Sequence, residues 1–235
     1  MQPIYTLLVN FSLFIILLLF RKVVHKEGFK SFLIKFNENN YKLFIKGAVT
    51  GLLSIGTYVF LVMLFNKGNL IVNKLNIIQN MKLISIYLIV FIAVSLFEES
   101  LFRGYILLKF NKMMPEFVAI VVSSFIFGLI HINNYLYNSI SLWVGIINAT
   151  LIGILLSLVV LKTNSLMWAL GFHTLWNLTQ HLVLCEENFV FNVFYYKEDI
   201  WTGTEFVPES GLIITLVLVL LLYILIKNKK TKREE

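Results

Sequence analysis

Seven long apolar segments, separated by short polar stretches, constrain the fold of this 235-residue chain more than any other feature. Hydrophobic residues make up 58% of the sequence, far more than in an ordinary soluble domain. A helix needs about twenty apolar residues to cross a bilayer, and several segments approach or reach that length. We therefore predict an all-α fold, a polytopic transmembrane helical bundle, with the whole chain, 1–235, as a single integral membrane domain. The predicted membrane-spanning helices are 4–20, 43–65, 83–109, 116–132, 141–161, 165–184 and 212–226.

The distribution of Lys and Arg predicts how this bundle lies in the membrane. The net charge is +7, and the basic residues cluster in 21–42 and in the C-terminal tail. Such clusters are typical of cytoplasmic loops, so we expect the lipid bilayer and not nucleic acid as a partner. Seven crossings then place the N-terminus outside and the C-terminus in the cytoplasm. Loop 66–82 also falls outside, although it carries three lysines.

The loop after the sixth span is acidic, which agrees with an outside position. Frequent Ile, Lys and Asn indicate a bacterial protein, so we expect the bacterial plasma membrane. The acidic residues of this loop are Glu186, Glu187, Glu198, Asp199, Glu205 and Glu209.

The third span contains the stretch L-F-E-E-S-L-F-R-G, which places charges inside an apolar segment. Charged side chains within a bilayer are costly and usually face the interior of a bundle. Glu99 and Arg103 are four residues apart, in the orientation that favours a helical ion pair, and we interpret them mainly as structural. Glu98 then has no cation on its own helix. It should take up a proton or find a partner elsewhere.

Three further polar residues are predicted to reach the depth of Glu98. At about 1.5 Å per residue, Glu98 lies roughly 24 Å along its helix from the outer end. From the inner ends of their helices, His131 and Asn177 lie roughly 22 Å along, and His173 roughly 16 Å. The distance between the two interfaces is about 40 Å, so three helices bring all four groups to the middle of the membrane.

Each neighbouring polar or aromatic residue also has a structural interpretation. Asn177 lies one turn beyond His173, where it could connect helices or donate to an oxyanion. Phe127 lies one turn before His131 and is more readily a core residue than a pocket wall. His181 lies closer to the outer interface, and we interpret it as structural. Gly47, Gly51 and Gly56 give the second span small surfaces for a close helix contact.

The midplane residues suit the attack of activated water on a carbonyl group. A carboxylate and an imidazole can hold and deprotonate a water molecule. A second imidazole and an amide can stabilise a developing oxyanion. Glu and two His are also the ligands of a catalytic zinc site with an open position. No Ser or Cys has an obvious base beside it, and Cys185 is the single cysteine.

Three ordered motifs resemble those of the CPBP family of intramembrane proteases. They are E-E-x-x-x-R at Glu98, Glu99 and Arg103, F-x-x-x-H at Phe127 and His131, and H-x-x-x-N at His173 and Asn177. The family includes the type II CAAX prenyl endopeptidases and the bacterial Abi proteins. The resemblance covers roughly residues 83–180, and we predict a catalytic helical core at 83–184.

The resemblance implies an active site within the membrane and a role for each motif residue. Glu98 and His131 are expected to activate the catalytic water, and His173 and Asn177 to stabilise the oxyanion. We expect no cofactor; if the family's disputed metal dependence applied, Glu98, His131 and His173 would be the zinc ligands.

The remaining motif residues, Glu99, Arg103 and Phe127, are expected to support this site. The leading hypothesis is an endopeptidase that acts on a peptide or a membrane-associated protein. A non-enzymatic immunity or scaffold protein, as in bacteriocin self-immunity, is the first alternative. A proton-coupled carrier is the second, because midplane Glu and His also suit proton relays.

Overall fold

Helices follow the predicted apolar segments closely in the computed structural model, which describes residues 2–72, 77–135, 139–184, 191–195, 199–204 and 207–231. A π-helical turn joins α3 to α4, so seven helical stretches correspond to the seven predicted spans within the described residues. The prediction of an all-α membrane-type bundle is confirmed. The helices are α1 (Pro3–Val24), α2 (Glu38–Leu64), α3 (Ile77–Leu101), α4 (Leu108–Met113), α5 (Glu116–Ile130), α6 (Ser139–Thr163), α7 (Met167–Leu184) and α8 (Leu212–Thr231).

Within the described residues, four helical stretches are long and apolar enough to cross a membrane by themselves. They are Pro3–Val24, Glu38–Leu64, Asn80–Met113 and Ser141–Thr163. The helix Glu116–Ile130 is apolar but has only 15 residues, which corresponds to about 22 Å. The hydrocarbon core is about 30 Å thick, so α5 by itself is shorter than that core. The number of spans, about seven, stays a prediction.

The outer surface of the bundle is apolar, as a lipid environment requires. Large side chains such as Ile16, Phe60 and Leu220 are more than half exposed. In water such a surface would be an aggregation or interaction site, whereas in a bilayer it contacts lipid tails. The interior core lies between α2, α6, α7 and α8 and includes Ile55 and Leu156, which are fully buried. The protein is an integral membrane protein.

Glycine lets α2 and α7 pack backbone to backbone. A Cβ atom on Gly47 would lie 2.0 Å from the Trp168 carbonyl oxygen, and one on Gly51 would lie 2.4 Å from the Phe172 carbonyl oxygen. Gly171 on α7 approaches α2 equally closely. The predicted close contact therefore forms at Gly47 and Gly51, as small residues allow in membranes. The prediction was wrong for Gly56, where a Cβ atom would contact nothing within 4 Å.

A π-helical turn, Phe102–Leu107, interrupts the third span, where the sequence suggested an unbroken α-helix ending near residue 109. Such widened turns often occur at functional sites. Contacts from the first helix and loop explain its position. Arg21 Nη1 donates a hydrogen bond to the Gly104 carbonyl oxygen at 2.7 Å. The guanidinium of Arg21 also pairs with Glu27 and lies over the Phe32 ring at 4.2 Å. The hydrogen bond from Arg21 lowers the pKa of Glu27.

Two short strands that the all-α prediction did not include join the loops after α2 and α7. Strands β1 (Gly68–Val72) and β2 (Phe191–Tyr195) pair antiparallel, with Gly68 opposite Tyr195. The two loops therefore lie on the same face of the bundle, which we call the strand face. This agrees with the predicted path of the chain, in which both loops are on one side. Which side is outside stays a prediction.

An ion pair also joins these two loops. Lys67 Nζ lies 2.5 Å from Asp199 Oδ2. Burial alone would raise the pKa of Asp199, but the hydrogen bonds from Lys67 and from the backbone of Thr202 and Trp201 lower it. This pair gives one of the three lysines of loop 66–82 an acidic partner. The predicted loop residues Lys74, Cys185, Glu186, Glu187, Glu198 and Glu205 lie outside the described residues.

Candidate active site

A cavity of about 480 Å³ lies among α3, α5, α6 and α7 and extends toward the strand face. The four predicted catalytic residues, Glu98, His131, His173 and Asn177, all line it. Three helical stretches contribute them, as the estimate of depth predicted. The loop before α8 contributes Glu209 to the same cavity wall.

Glu98 places a carboxylate oxygen between two imidazoles. Its Oε2 lies 3.7 Å from His131 Nε2 and 3.9 Å from His173 Nε2. Both distances are too long for a direct hydrogen bond. Among the described residues, this buried oxygen has no hydrogen-bond partner. The carboxylate of Glu98 is thus positioned by its helix and faces the cavity.

His131 lies at the end of α5, where its backbone caps the helix. Its Nδ1 lies 2.8 Å from the carbonyl oxygen of Phe127, one turn earlier. A carbonyl oxygen only accepts, so Nδ1 carries the proton and donates it. In the neutral ring Nε2 is then an unprotonated acceptor, and it points toward Glu98. This is the orientation that a base or a metal ligand needs.

His173 is oriented by the second carboxylate of the E-E pair. Its Nδ1 lies 2.8 Å from Glu99 Oε1, and its Nε2 faces Glu98. His173 therefore contacts the two adjacent carboxylates with its two ring nitrogens. Sequence spacing indicated that Glu98 and His173 share a depth, but it did not predict this bond to Glu99.

The predicted ion pair of Glu99 and Arg103 is present and almost completely buried. Arg103 Nη1 donates to Glu99 Oε1 at 2.8 Å, and the two side chains are 1% and 0% exposed. Because Glu99 Oε1 accepts from both Arg103 and His173, the pair fixes the orientation of the imidazole. Burial of one partner without the other would be costly.

Phe127 connects these groups and is both a buried residue and a wall of the cavity. The Arg103 guanidinium lies over its ring, 4.2 Å from the centroid. The His131 ring is 4.6 Å from it, and the His173 ring is 6.3 Å away and perpendicular. Phe127 is therefore both a core residue and part of the cavity wall.

The rest of α7 continues the polar wall of the cavity toward the strand face. Asn177, Gln180 and His181 follow His173 along the helix and line the cavity. The ring of His181 also packs on Tyr87, with centroids 3.9 Å apart. The structural interpretation of His181 is therefore incomplete, since it faces the cavity as well.

Glu209 is a cavity residue that the sequence analysis did not single out. Its Oε1 accepts from Trp176 Nε1 at 2.7 Å, and its Oε2 accepts from Gln180 Nε2 at 3.3 Å. Burial raises the pKa of Glu209. In the sequence it was one of six acidic residues in a loop, with no periodic signal to separate it. The neighbouring Pro208 was the one local feature that could have indicated an ordered turn.

The zinc alternative can be tested on the geometry of Glu98, His131 and His173. Both histidines are held through Nδ1 and present Nε2, which is usual for metal ligands. However, no group of three His, Cys, Asp or Glu residues with metal-holding geometry occurs in the described part of the chain. The residue types fit a zinc site, but whether the protein uses a metal stays a prediction, so we derive no step that involves a metal.

A comparison with protein-family models bears on this site. Residues 80–179 match the model described as Type II CAAX prenyl endopeptidase Rce1-like. The matched range contains all three motifs, from Glu98 to Asn177, and confirms the resemblance that those motifs indicated. Comparisons with curated proteins and with solved structures gave no match.

Proposed function

We propose that the protein is a glutamate-type intramembrane endopeptidase, on the premise that residues 80–179 match the Rce1-like type II CAAX prenyl endopeptidase model. One observation supports the proposal more than any other. A buried carboxylate oxygen of Glu98 faces the Nε2 atoms of two histidines, at 3.7 and 3.9 Å, inside a cavity large enough for a peptide segment. Separations of this size suit a bridging water molecule.

Glu98 and His131 are proposed to activate that water. Glu98 Oε2 and the neutral His131 Nε2 are both acceptors, so one water molecule can donate one hydrogen bond to each. The water oxygen keeps its lone pairs for attack on the peptide carbonyl carbon. As the new C–O bond forms, Glu98 takes one proton from the water, and the carbonyl oxygen becomes an oxyanion.

His173 and Asn177 are proposed to stabilise this oxyanion. Since Nδ1 of His173 already donates to Glu99, Nε2 can donate only when the ring carries both protons. In that form Glu99 accepts the hydrogen bond from Nδ1 and holds the ring in place. The side-chain amide of Asn177 would add a second donor. Such donors act strongly in a site from which water is largely excluded.

Collapse of the tetrahedral intermediate completes the hydrolysis. The C–N bond breaks, and the protonated Glu98 gives its proton to the leaving nitrogen. The second proton of the water, hydrogen-bonded to His131 Nε2, then passes through His131 from the new carboxylic acid to the amine. The products are a carboxylate and an ammonium group, and Glu98 returns to its ionised form. No covalent acyl-enzyme is formed, and the chain's own residues supply every proton transfer.

The proposal includes the setting of the enzyme. Its substrate is a peptide or a membrane-associated protein that reaches the cavity at the strand face. The basic loop after α1 and the C-terminal tail lie on the cytoplasmic side of a bacterial plasma membrane, so the strand face is external. No cofactor takes part. Metal analysis of active protein purified without chelators tests that point, because stoichiometric zinc would contradict it.

Replacement of Glu98 tests the proposed function. In protein reconstituted into nanodiscs, Glu98→Gln should reduce peptide cleavage by about 10³-fold or more, because the water loses its proton acceptor. The matched control is Glu116→Gln, an exposed glutamate at the start of α5. Both variants should show the circular dichroism and melting of the wild type.

Two results would count against the endopeptidase. Equal cleavage by Glu98→Gln and the wild type would remove Glu98 from the mechanism. Protection of cells from a toxic peptide that persists in Glu98→Gln, without any cleavage by the wild type, would favour the immunity alternative.

A further inference from the structure

The end of the cavity nearest the strand face contains a second buried carboxylate, Glu209. This residue lies in the 3₁₀ turn Pro208–Ser210, which lies against α6 and α7. It is 9% exposed and forms part of the cavity wall. Trp176 and Gln180 donate the side-chain hydrogen bonds that reach its carboxylate.

The backbone of this turn is held by other contacts, so the carboxylate is not its main anchor. Asn148 Nδ2 donates to the carbonyl oxygens of Glu209 and Gly211 at 2.7 and 3.0 Å. Thr215 fixes the amide of Asn148 from the other side, at 2.8 Å. The Ser210 hydroxyl accepts from the Thr204 backbone N–H at 2.8 Å. A charged side chain at position 209 is therefore free to serve another purpose.

The charge of Glu209 faces histidines but no permanent cation in the described cavity wall. No Lys or Arg lines the cavity in the described part of the chain, and Glu98 is the other carboxylate that does. Arg103, the nearest cation to the deep part of the site, is already bonded to Glu99. Buried carboxylates are ordinarily paired with a cation, because hydrogen bonds from neutral donors compensate only part of the cost of burial.

We propose that Glu209 binds an ammonium or guanidinium group of the substrate, so that the enzyme selects peptides with Lys or Arg near the cleaved bond. This inference rests on the proposed endopeptidase function and names its substrate class. A basic side chain meets Glu209 in the described cavity wall, where no Lys or Arg would pair with a C-terminal carboxylate. The donors Trp176 and Gln180 hold the carboxylate in position to receive it.

The position of Glu209 along α7 limits where the basic residue lies in the substrate. Trp176 and Gln180 follow His173 by three and seven residues, which corresponds to about 5 to 10 Å along the helix axis. An extended peptide advances about 3.3 Å per residue. The basic side chain should therefore lie within about three residues of the cleaved bond.

Cleavage of a randomised peptide library tests this selection. Mass spectrometry of the products of the wild type in nanodiscs should show Lys and Arg enriched at one position within about three residues of the cleaved bond. Glu209→Gln keeps an oxygen that can accept from Trp176 but loses the charge. It should reduce the preference for Lys over norleucine by about 10- to 100-fold, the loss expected for one charged hydrogen bond.

Two matched variants separate a role in selection from a structural role. Glu209→Asp keeps the charge and should retain a preference for Lys over norleucine. Glu116→Gln removes an exposed carboxylate elsewhere and should leave the preference as in the wild type. A preference that is equal in Glu209→Gln and the wild type would overturn the inference and leave the endopeptidase proposal standing.

A binding measurement keeps the inference testable even without turnover. Fluorescence anisotropy would follow a fluorescein-labelled apolar octapeptide with one central Lys, and its norleucine counterpart, on the Glu98→Gln protein. The Lys peptide should bind about 10- to 100-fold more tightly, and addition of Glu209→Gln should abolish the difference. Equal affinity of the two peptides for the Glu98→Gln protein would refute the role of Glu209, whatever the outcome of the cleavage assay.

Discussion

The two ends of the cavity are built in different ways. The deep end consists of Glu98, His131 and His173, which helices hold in place through groups one turn away or on the adjoining helix. The loop end consists of Glu209 with Trp176 and Gln180, and a turn far along the chain closes it. Periodic elements therefore produce the deep end, whereas contacts between segments that are distant in the sequence produce the loop end.

The two ends also differ in how charge is compensated. At the deep end, Glu99 and Arg103 form an ion pair that is at most 1% exposed. At the loop end, Glu209 receives hydrogen bonds from neutral side chains. The ion pair that holds the strand face, Lys67 with Asp199, is 33% and 23% exposed. Disruption of a contact should therefore destabilise the deep end most and the strand face least.

Loss of Arg103 is expected to have the largest effect on stability. Arg103→Met leaves the Glu99 carboxylate buried with His173 as its remaining polar partner, so the free energy of unfolding should fall by about 3–5 kcal/mol. Unfolding in detergent micelles measures it. The control is Lys42→Met, which breaks the exposed i, i+4 pair with Glu38 and should change little. Equal losses in the free energy of unfolding for Arg103→Met and Lys42→Met would contradict the expected difference between buried and exposed ion pairs.

Disruption of the close contact between α2 and α7 should have an intermediate effect on stability. A Cβ atom on Gly51 would lie 2.4 Å from the carbonyl oxygen of Phe172, a residue that lines the cavity. Gly51→Ala should therefore push the helices apart and cost about 1–3 kcal/mol. Gly56→Ala on the same helix meets nothing within 4 Å and should not destabilise the protein. Melting temperatures of the pair give the result, and similar losses would contradict the packing of α2 on α7.

The smallest effect is expected at the strand face. Lys67→Met removes the partner of Asp199 and should cost about 0.2–1 kcal/mol, since this ion pair is partly exposed. The pKa of Asp199 is lowered in the folded protein, so the pair stabilises the fold above the pKa of an unfolded aspartate. This stabilisation is lost as the pH falls through the folded-state pKa.

The difference in melting temperature between the wild type and Lys67→Met should therefore shrink on acidification from about pH 7 to about pH 3. High salt at neutral pH should also reduce it, because salt screens exposed charges. A difference that grows on acidification would contradict the lowered pKa of Asp199.

The sequence alone determined the helices and the deep end of the cavity. Apolar stretches of about twenty residues leave few alternatives to membrane helices, because backbone groups in lipid must bond within their own segment. The i, i+4 spacing of Glu99 and Arg103 predicted their ion pair, and distance along each helix predicted that Glu98, His131 and His173 lie at one depth. These inferences depend on local periodicity, which the sequence displays directly.

Only the tertiary structure decided the loop end and the details of bonding. The pairing of β1 with β2, the π-helical turn at Phe102–Leu107 and the bond of His173 to Glu99 left no periodic pattern in the sequence. Glu209 reaches Trp176 across 33 residues, and Asn148 holds the backbone of Glu209 across 61. Such contacts depend on how separate helices pack, because a loop has no repeating geometry from which the direction of its side chains follows.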